Sequence, residues 1–250
     1  MGSKVYFITG ASSEVGLAFI RSLEDRLKKN GEKATVIAHY ATHDEALLAL
    51  KEELDAVTLV LQQADLSKPE EVAGLLARVA GICECPDCIL HLPASKLSYN
   101  RIRQLDWQNV LRDMEIQVHS LWEIGKYFLP KMGKRGSGKV AVMLTACTVG
   151  MPPKFMSQYV VVKYALLGLM KSMAVEFAEK GVNVNGISPN MMETKFLDNI
   201  DSKMIEINRT VSTMKRNVRV EEVLPAIHLL LSEGSDYMNG VNLNLTGGDR

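Results

Sequence analysis

The chain has 250 residues, 47% of them hydrophobic and 23% charged, and its 29 basic and 29 acidic side chains cancel to a formal net charge of zero. Such a chain can bury a substantial core. Its balanced charge gives no electrostatic case for a nucleic-acid or anionic-membrane partner, and no apolar run reaches the length of a membrane span. Four cysteines in a chain this long point to a reducing, cytoplasmic setting rather than a disulfide scaffold.

Strand-like and helix-like stretches alternate along nearly the whole chain. The N-terminus reads straight into an apolar strand over 4–9, with no signal-peptide core. Helical periodicity follows over 15–29, then a strand over 34–40, a helix over 44–54 and a third strand over 57–63. A helix is predicted over 69–79, where Pro69 suits a helix start. A fourth strand covers 88–92, and a long helical stretch runs over 106–132, broken near Pro130. Strands at 139–144, 182–187 and 241–245 and a helix at 157–179 complete the pattern, with more helix over 195–217 and from Val220 to Glu233. This rhythm, with strands apolar throughout, implies a parallel sheet covered by helices on both faces. No linker or internal repeat interrupts it, so 1–250 reads as one domain.

Two stretches carry chemistry. Thr9-Gly10-Ala11-Ser12-Ser13-Glu14-Val15-Gly16 lies between the first strand and the first helix. Backbone N–H groups and the helix N-terminus at such a turn can hold a pyrophosphate, with Gly10 allowing the tight turn and Gly16 close packing; a serine-rich helix cap without a ligand is the plainer reading. Tyr159 and Lys163 stand four residues apart on a predicted helix, which puts both on one face. A free phenol titrates near ~10. A cation a few Å away is worth roughly 4 kcal/mol at an effective dielectric near 20. That would draw the phenol toward neutral pH, where it can exchange a proton with a carbonyl. Taken alone, the pair also fits the surface of an amphipathic helix.

Together these motifs resemble the short-chain dehydrogenase/reductase family, of the single-domain kind, over almost the entire chain. The resemblance continues from Tyr159 and Lys163 through Gly168-Leu169 and Ser172-Met173-Ala174-Val175-Glu176 to Gly181-Val182-Asn183-Val184-Asn185-Gly186-Ile187-Ser188-Pro189-Asn190 and the Gly247-Gly248 end. It implies a Rossmann-type, doubly wound, three-layer α/β/α fold. It implies a cofactor against Gly10, Ser12, Ser13, Val15 and Gly16, with Tyr40 at the end of the second strand. Asp65 would meet the adenine beside Leu66, and Pro93 and Ala94 would border the ribose. Thr145, Pro189, Met192 and Thr194 would face the nicotinamide side together with Tyr159 and Lys163. No acidic residue stands at Tyr40 or Ala41 to hold a ribose 2′-hydroxyl, which favours NADP (as NADPH) over NAD, although no arginine replaces it. His39 and His43 read as loop or surface residues.

Several positions depart from the family pattern. Glu14 occupies the middle glycine position of the turn, and a carboxylate near a phosphate is unfavourable unless it points to solvent. Leu92 and Pro93 replace the two asparagines of Asn-Asn-Ala-Gly. Gln117 falls where the catalytic asparagine lies, with a solvent-facing helix residue as the alternative. Ala146 stands thirteen positions before Tyr159, where the family has its catalytic serine. Thr145 or Thr148 replaces that hydroxyl if the loop is shifted, and Cys147 is a poorer donor. Cys83, Cys85 and Cys88 could supply three thiolates to zinc, but no partner C-x-x-C exists. They read as a loop before a buried strand, with no metal.

The resemblance implies a ketone or 3-oxoacyl reductase with Tyr159, Lys163 and Gln117 as catalytic residues. Its substrate would be a small molecule or an acyl thioester, and residues 193–217 would form a substrate lid in which Met204 and Met214 line a pocket or pack the lid. The helices at 106–132 and 157–179 would build a homotetramer or homodimer. The departures at Glu14, Leu92-Pro93 and Ala146 motivate an alternative: a catalytically weak member that binds a nucleotide or a partner subunit.

Overall fold

In the computed structural model, residues 3–249 are described; Met1, Gly2 and Arg250, the ends of the predicted 1–250 domain, lie outside the described residues. The strands are β1 Lys4–Thr9, β2 Ala34–Tyr40, β3 Val57–Gln63, β4 Cys88–His91, β5 Gly138–Met143, β6 Val182–Pro189 and β7 Asn242–Leu245. The helices are α1 Glu14–Asn30, α2 Glu45–Glu53, α3 Pro69–Ile82, α4 Trp107–Met114, α5 Ser120–Arg135, α6 Ser157–Phe177, α7 Ser202–Val211 and α8 Val220–Leu230. All strands pair in parallel in the order β3-β2-β1-β4-β5-β6-β7. The chain winds outward from β1 to β3, then crosses back to β4 and winds the other way. The carboxyl ends of β1 and β4 therefore flank a topological switch point, where such sheets bind ligands.

Alternation along each strand splits the core in two. Tyr6 and Ile8 of β1 face one side, with Leu23 of α1, Leu47 and Leu50 of α2, and Ile227 of α8. Phe7 faces the other side, with Leu75 of α3, Ile124 and Phe128 of α5, and Met170 of α6. The predicted parallel, three-layer architecture is thus present.

The long helical stretch differs from expectation. Helix α5 runs through Pro130 to Arg135 and stops at Gly136, whose φ of 76° ends it. The packing of Phe128, Leu129 and Met132 in the core holds the proline within the helix. The interruption lies upstream instead, as a π-helical turn at Glu115–His119 between α4 and α5. Such turns concentrate at functional sites, and this one carries Gln117.

One buried acid ties the first layer together. Glu24 of α1 is 4% exposed. Its carboxylate accepts hydrogen bonds from the Asp55, Ala56 and Val57 amides at 2.8–3.1 Å, where the chain enters β3. Burial alone would raise its pKa, but these amides and Lys28 outweigh that and hold the carboxyl down to about 2. The folded pKa lies below the unfolded value of ~4.3, so the stabilisation is complete above that value and fades as pH falls toward 2. Glu24→Gln is expected to lose about 2 kcal/mol at pH 7, with the gap to wild type narrowing in acid. Denaturant unfolding at pH 7 and pH 3 checks this; equal gaps at both would show that the charge is not what binds β3.

Candidate active site

The first turn is built for close approach. Gly10 has φ +70°, and a Cβ there would meet the Pro93 nitrogen at 3.2 Å. A Cβ on Gly16 would lie 2.4 Å from the Ala11 carbonyl oxygen, so only glycine lets α1 start this near the turn. Ser13 caps α1: its Oγ accepts from the Gly16 amide (3.2 Å) and donates to the Gly10 carbonyl (2.8 Å). The amides of Glu14 and Val15 have no hydrogen-bond partner among the described residues. Glu14 does not point to solvent alone: its carboxylate accepts a hydrogen bond from the Lys195 amide at 2.9 Å.

Two buried histidines brace this region, which corrects the surface reading of His39. His39 lies on β2 and is 2% exposed. It donates from Nε2 to the Ala64 carbonyl (3.0 Å), and its Nδ1 accepts from the Gly10 amide (3.1 Å). Burial lowers its pKa to about 4, so it is neutral and offers no charge to a phosphate. His43 is exposed, as expected. His91 ends β4, donates from Nε2 to the Gln117 carbonyl (2.9 Å) and accepts at Nδ1 from the Thr9 hydroxyl (2.8 Å). Burial lowers its pKa to about 3. With these two bonds His91 joins β1 to the Glu115–His119 turn. Its signal in the sequence was a lone polar residue closing an apolar strand.

Above the switch point lies a cavity of about 980 Å³. The structure brings Gly10, Ser12, Ser13, Val15, Asp65 and Leu66 to its wall. Pro93, Ala94, Thr145, Pro189, Met192 and Thr194 join them, with Tyr159 and Lys163. Gly16, Tyr40 and Gln117 do not reach the wall. Gly16 packs beneath the turn against Ala11, and Tyr40 ends β2 outside the wall. Gln117 is not solvent-facing: it is 1% exposed, with its Oε1 buried and without a partner. Asp65 is occupied locally, accepting from the Ser67 amide and hydroxyl at 2.9 and 2.7 Å.

Lys163 and Tyr159 share one face of α6. Lys163 is 2% exposed, and its ammonium donates to the Met143 carbonyl at 2.8 Å. Burial lowers its pKa to about 7, opposed by the charge of Asp113. Asp113, one helical turn before Gln117, is buried and accepts from the Gln158 amide at 2.6 Å. Sequence reasoning missed it, although its i, i+4 spacing to Gln117 puts both on one helix face. Burial also raises the Tyr159 phenol above its ordinary value, while the nearby Thr145 hydroxyl opposes the rise. This corrects the expectation of a phenol drawn toward neutrality: the lysine nitrogen lies 5.8 Å from the ring centre, and desolvation governs both groups.

The loop after β5 distinguishes the candidate hydroxyls. Thr148 donates to the Thr145 carbonyl (2.8 Å), lies against Ser188 and is buried. Thr145 lines the cavity wall with Tyr159, and Thr148 does not. The Thr145 Oγ1 accepts from the Cys147 amide at 3.3 Å, leaving its proton to donate. Cys147 sits in the same pocket with Tyr99 and Phe196.

The segment 196–200 packs against this group. Leu197 and Ile200 pack on Leu97 and Met156, and the Phe196 ring lies 5.8 Å from Tyr159. Lys96 pairs with Asp198 at 2.8 Å, and Asp249 accepts from the Thr213 amide at 2.7 Å and from Asn190 at 2.6 Å. Met204 and Met214 are largely exposed and do not line the cavity.

Among the described residues no group of three or more His, Cys, Asp or Glu is placed to hold a metal ion, and no helix is long and apolar enough to cross a membrane. Cys88 is a core residue whose Sγ lies 3.5 Å from the Leu231 carbonyl.

Comparison with known proteins agrees with this geometry. The chain is 26% identical over 260 residues to D-beta-hydroxybutyrate dehydrogenase of Rhizobium meliloti (strain 1021), covering 98% of both chains. It is 27% identical over 256 residues to 3-oxoacyl-(acyl-carrier-protein) reductase FabG of Buchnera aphidicola, covering 97% of this chain and 95% of the relative. Among solved structures, a 3-oxoacyl (acyl-carrier-protein) reductase from Agrobacterium tumefaciens C58 with NADP bound superposes with a TM-score of 0.85 at 25% identity, over 98% and 94% of the two chains. The family model described as Enoyl-(Acyl carrier protein) reductase matches residues 10–249, and with it the chain belongs to the short-chain dehydrogenase/reductase oxidoreductases.

Proposed function

We propose that the protein is an NADPH-preferring carbonyl reductase acting on a ketone or 3-oxoacyl group. The observation that carries this reading is the convergence of Tyr159, Lys163 and Thr145 in the wall of one cavity. The chain fits a dinucleotide: the Glu14 and Val15 amides at the start of α1 have no partner among the described residues, and Lys163 is a buried cation with a single neutral partner. Ser12, Ser13 and Val15 would hold the phosphates, Asp65 and Leu66 the adenine, and Pro93 and Ala94 the ribose. Pro189, Met192 and Thr194 would hold the nicotinamide. When bound, that cofactor supplies the hydride.

The protein supplies the proton. Burial keeps the Tyr159 phenol protonated across the neutral range, the state in which it can donate to a carbonyl oxygen. Thr145 takes the role of the family's serine, donating to the same oxygen as charge develops. Lys163 stabilises the phenolate that remains, and Asp113 favours its charged form. Gln117 acts through its backbone carbonyl, held by His91, and supports the π turn behind the lysine.

The substrate end of the cavity is apolar, walled by Tyr99, Met156, Phe196 and Leu197. At its rim Arg101, Arg103 and Lys154 line a neighbouring recess, none of them in a salt bridge among the described residues. Apolar depth with a cationic rim suits an acyl thioester carrying phosphate. Preference for NADPH rests on the absence of a carboxylate from the cavity wall at Ala41, Thr42 and His43. Exposed Trp107, Leu111, Trp122, Val161 and Tyr164 on α4, α5 and α6 support a homodimer or homotetramer through those helices. All four cysteines are free, in keeping with a cytoplasmic setting.

Calorimetric titration should show tighter binding of NADPH than of NADH; the reverse order would overturn the assigned preference. Tyr159→Phe should cut NADPH-dependent reduction of a 3-oxoacyl thioester by about 10²–10⁴-fold while leaving NADPH affinity within a few-fold. Unchanged turnover would remove the proposed proton donor. Thr145→Val should lower kcat by about 10²–10³-fold with little change in KM. Thr148→Val, which removes a buried structural hydroxyl, should lower thermal stability and leave kcat nearly intact. Equal kcat losses in both would refute the assignment of Thr145.

A further inference from the structure

Glu14 is the one member of the glycine turn that reaches across the cleft. It is the first residue of α1, beside the unpartnered amides of the helix start, yet its carboxylate engages the Lys195 amide, 181 residues on, at 2.9 Å. Lys195 opens the 3₁₀ turn Lys195–Leu197 at the base of the lid, and Thr194 before it makes no side-chain cap. Among the described residues this is the only hydrogen bond between residues 10–16 and 193–217. Glu14, Ser12, Ser13, Val15, Thr194 and Lys195 all line the same cavity.

An anion is stabilised by a helix N-terminus through its free N–H groups and dipole. The same place is where a dinucleotide phosphate is received in such turns. A carboxylate already lies there, and it has taken an N–H donor from the opposite wall. A phosphate entering between α1 and the lid would lose that donor and meet a like charge.

We propose, building on the cofactor reading above, that Glu14 is an internal competitor for the cofactor's pyrophosphate. Its carboxylate latches the phosphate turn to the lid in the free protein and must leave the Lys195 amide for a dinucleotide to bind. Glu14 thereby sets cofactor affinity, and it couples cofactor entry to lid opening. It takes no part in the proton transfer.

The test separates charge from latch. Gln at position 14 keeps an acceptor for the Lys195 amide but no charge, whereas Gly removes both. Wild type, Glu14→Gln and Glu14→Gly are titrated with NADPH, and with adenosine 2′-monophosphate as a probe that lacks the pyrophosphate and any 5′-phosphate. Amide hydrogen exchange over 194–211 is followed in the nucleotide-free proteins. Glu14→Gln should bind NADPH about 10-fold more tightly and Glu14→Gly about 10–100-fold more tightly, with the 2′-monophosphate affinity unchanged. Exchange at Lys195 should quicken in Glu14→Gly and stay slow in Glu14→Gln. Equal NADPH affinity in all three proteins would overturn the proposal and leave the cofactor reading standing. Binding of NADPH by none of them would overturn both. Exchange at Lys195 that is equally fast in all three would remove the latch.

Discussion

A lysine ammonium buried with one neutral partner is the constraint around which the cleft is arranged. Removing a cation from water is costly, and a single carbonyl returns only part of that cost. The Met143 carbonyl at the end of β5 is that partner. The remainder is carried by the apolar face of α6, where Val162, Leu166 and Met170 are fully buried against the sheet. Helix α6 must therefore dock at one depth and one rotation, and that fixes where Tyr159, one turn earlier, enters the cavity. The same desolvation acts on both side chains in opposite senses, pressing the lysine and the phenol each toward its neutral form. A ligand that brings hydroxyls or charge into the cavity meets a lysine and a phenol that burial has both displaced from their ordinary values.

The layer architecture was legible because its signals are local. Apolar strands, capped helices and the spacing of Tyr159 and Lys163 follow from pattern alone, and the observed strands fall within a few residues of the predicted ones. Pro130 misled for a physical reason: it predicts a break from the backbone alone, whereas the packing of its neighbours Phe128 and Leu129 decides the matter. The π turn at Glu115–His119 has no comparable mark in composition, since it arises from how two helical segments meet the sheet.

Side-chain identity at the site was readable, but direction was not. Gln117 is buried and does not reach the cavity wall, and it is its backbone carbonyl that accepts from His91. Thr145 and Thr148 are equivalent on paper. They separate only when Thr148 is seen bonded back to its own loop. Leu92 and Pro93 read as a loss of two polar braces, whereas the joining at this strand end is made by the neighbouring His91, through Thr9 and Gln117, far away in sequence.

Those histidine braces have an effect on how the protein senses its surroundings. Histidine is the usual side chain by which proteins register mild acidification. Here His39 and His91 are held at about 4 and about 3 by burial. Each keeps one tautomer, with Nε2 donating and Nδ1 accepting, through the whole range a living cell visits. The glycine turn and the π turn hang from these two rings, so the scaffold of the cleft is silent to physiological acidification. Burial lowers the Lys163 ammonium only to about 7. The braces and the buried lysine therefore answer to acid in different ranges.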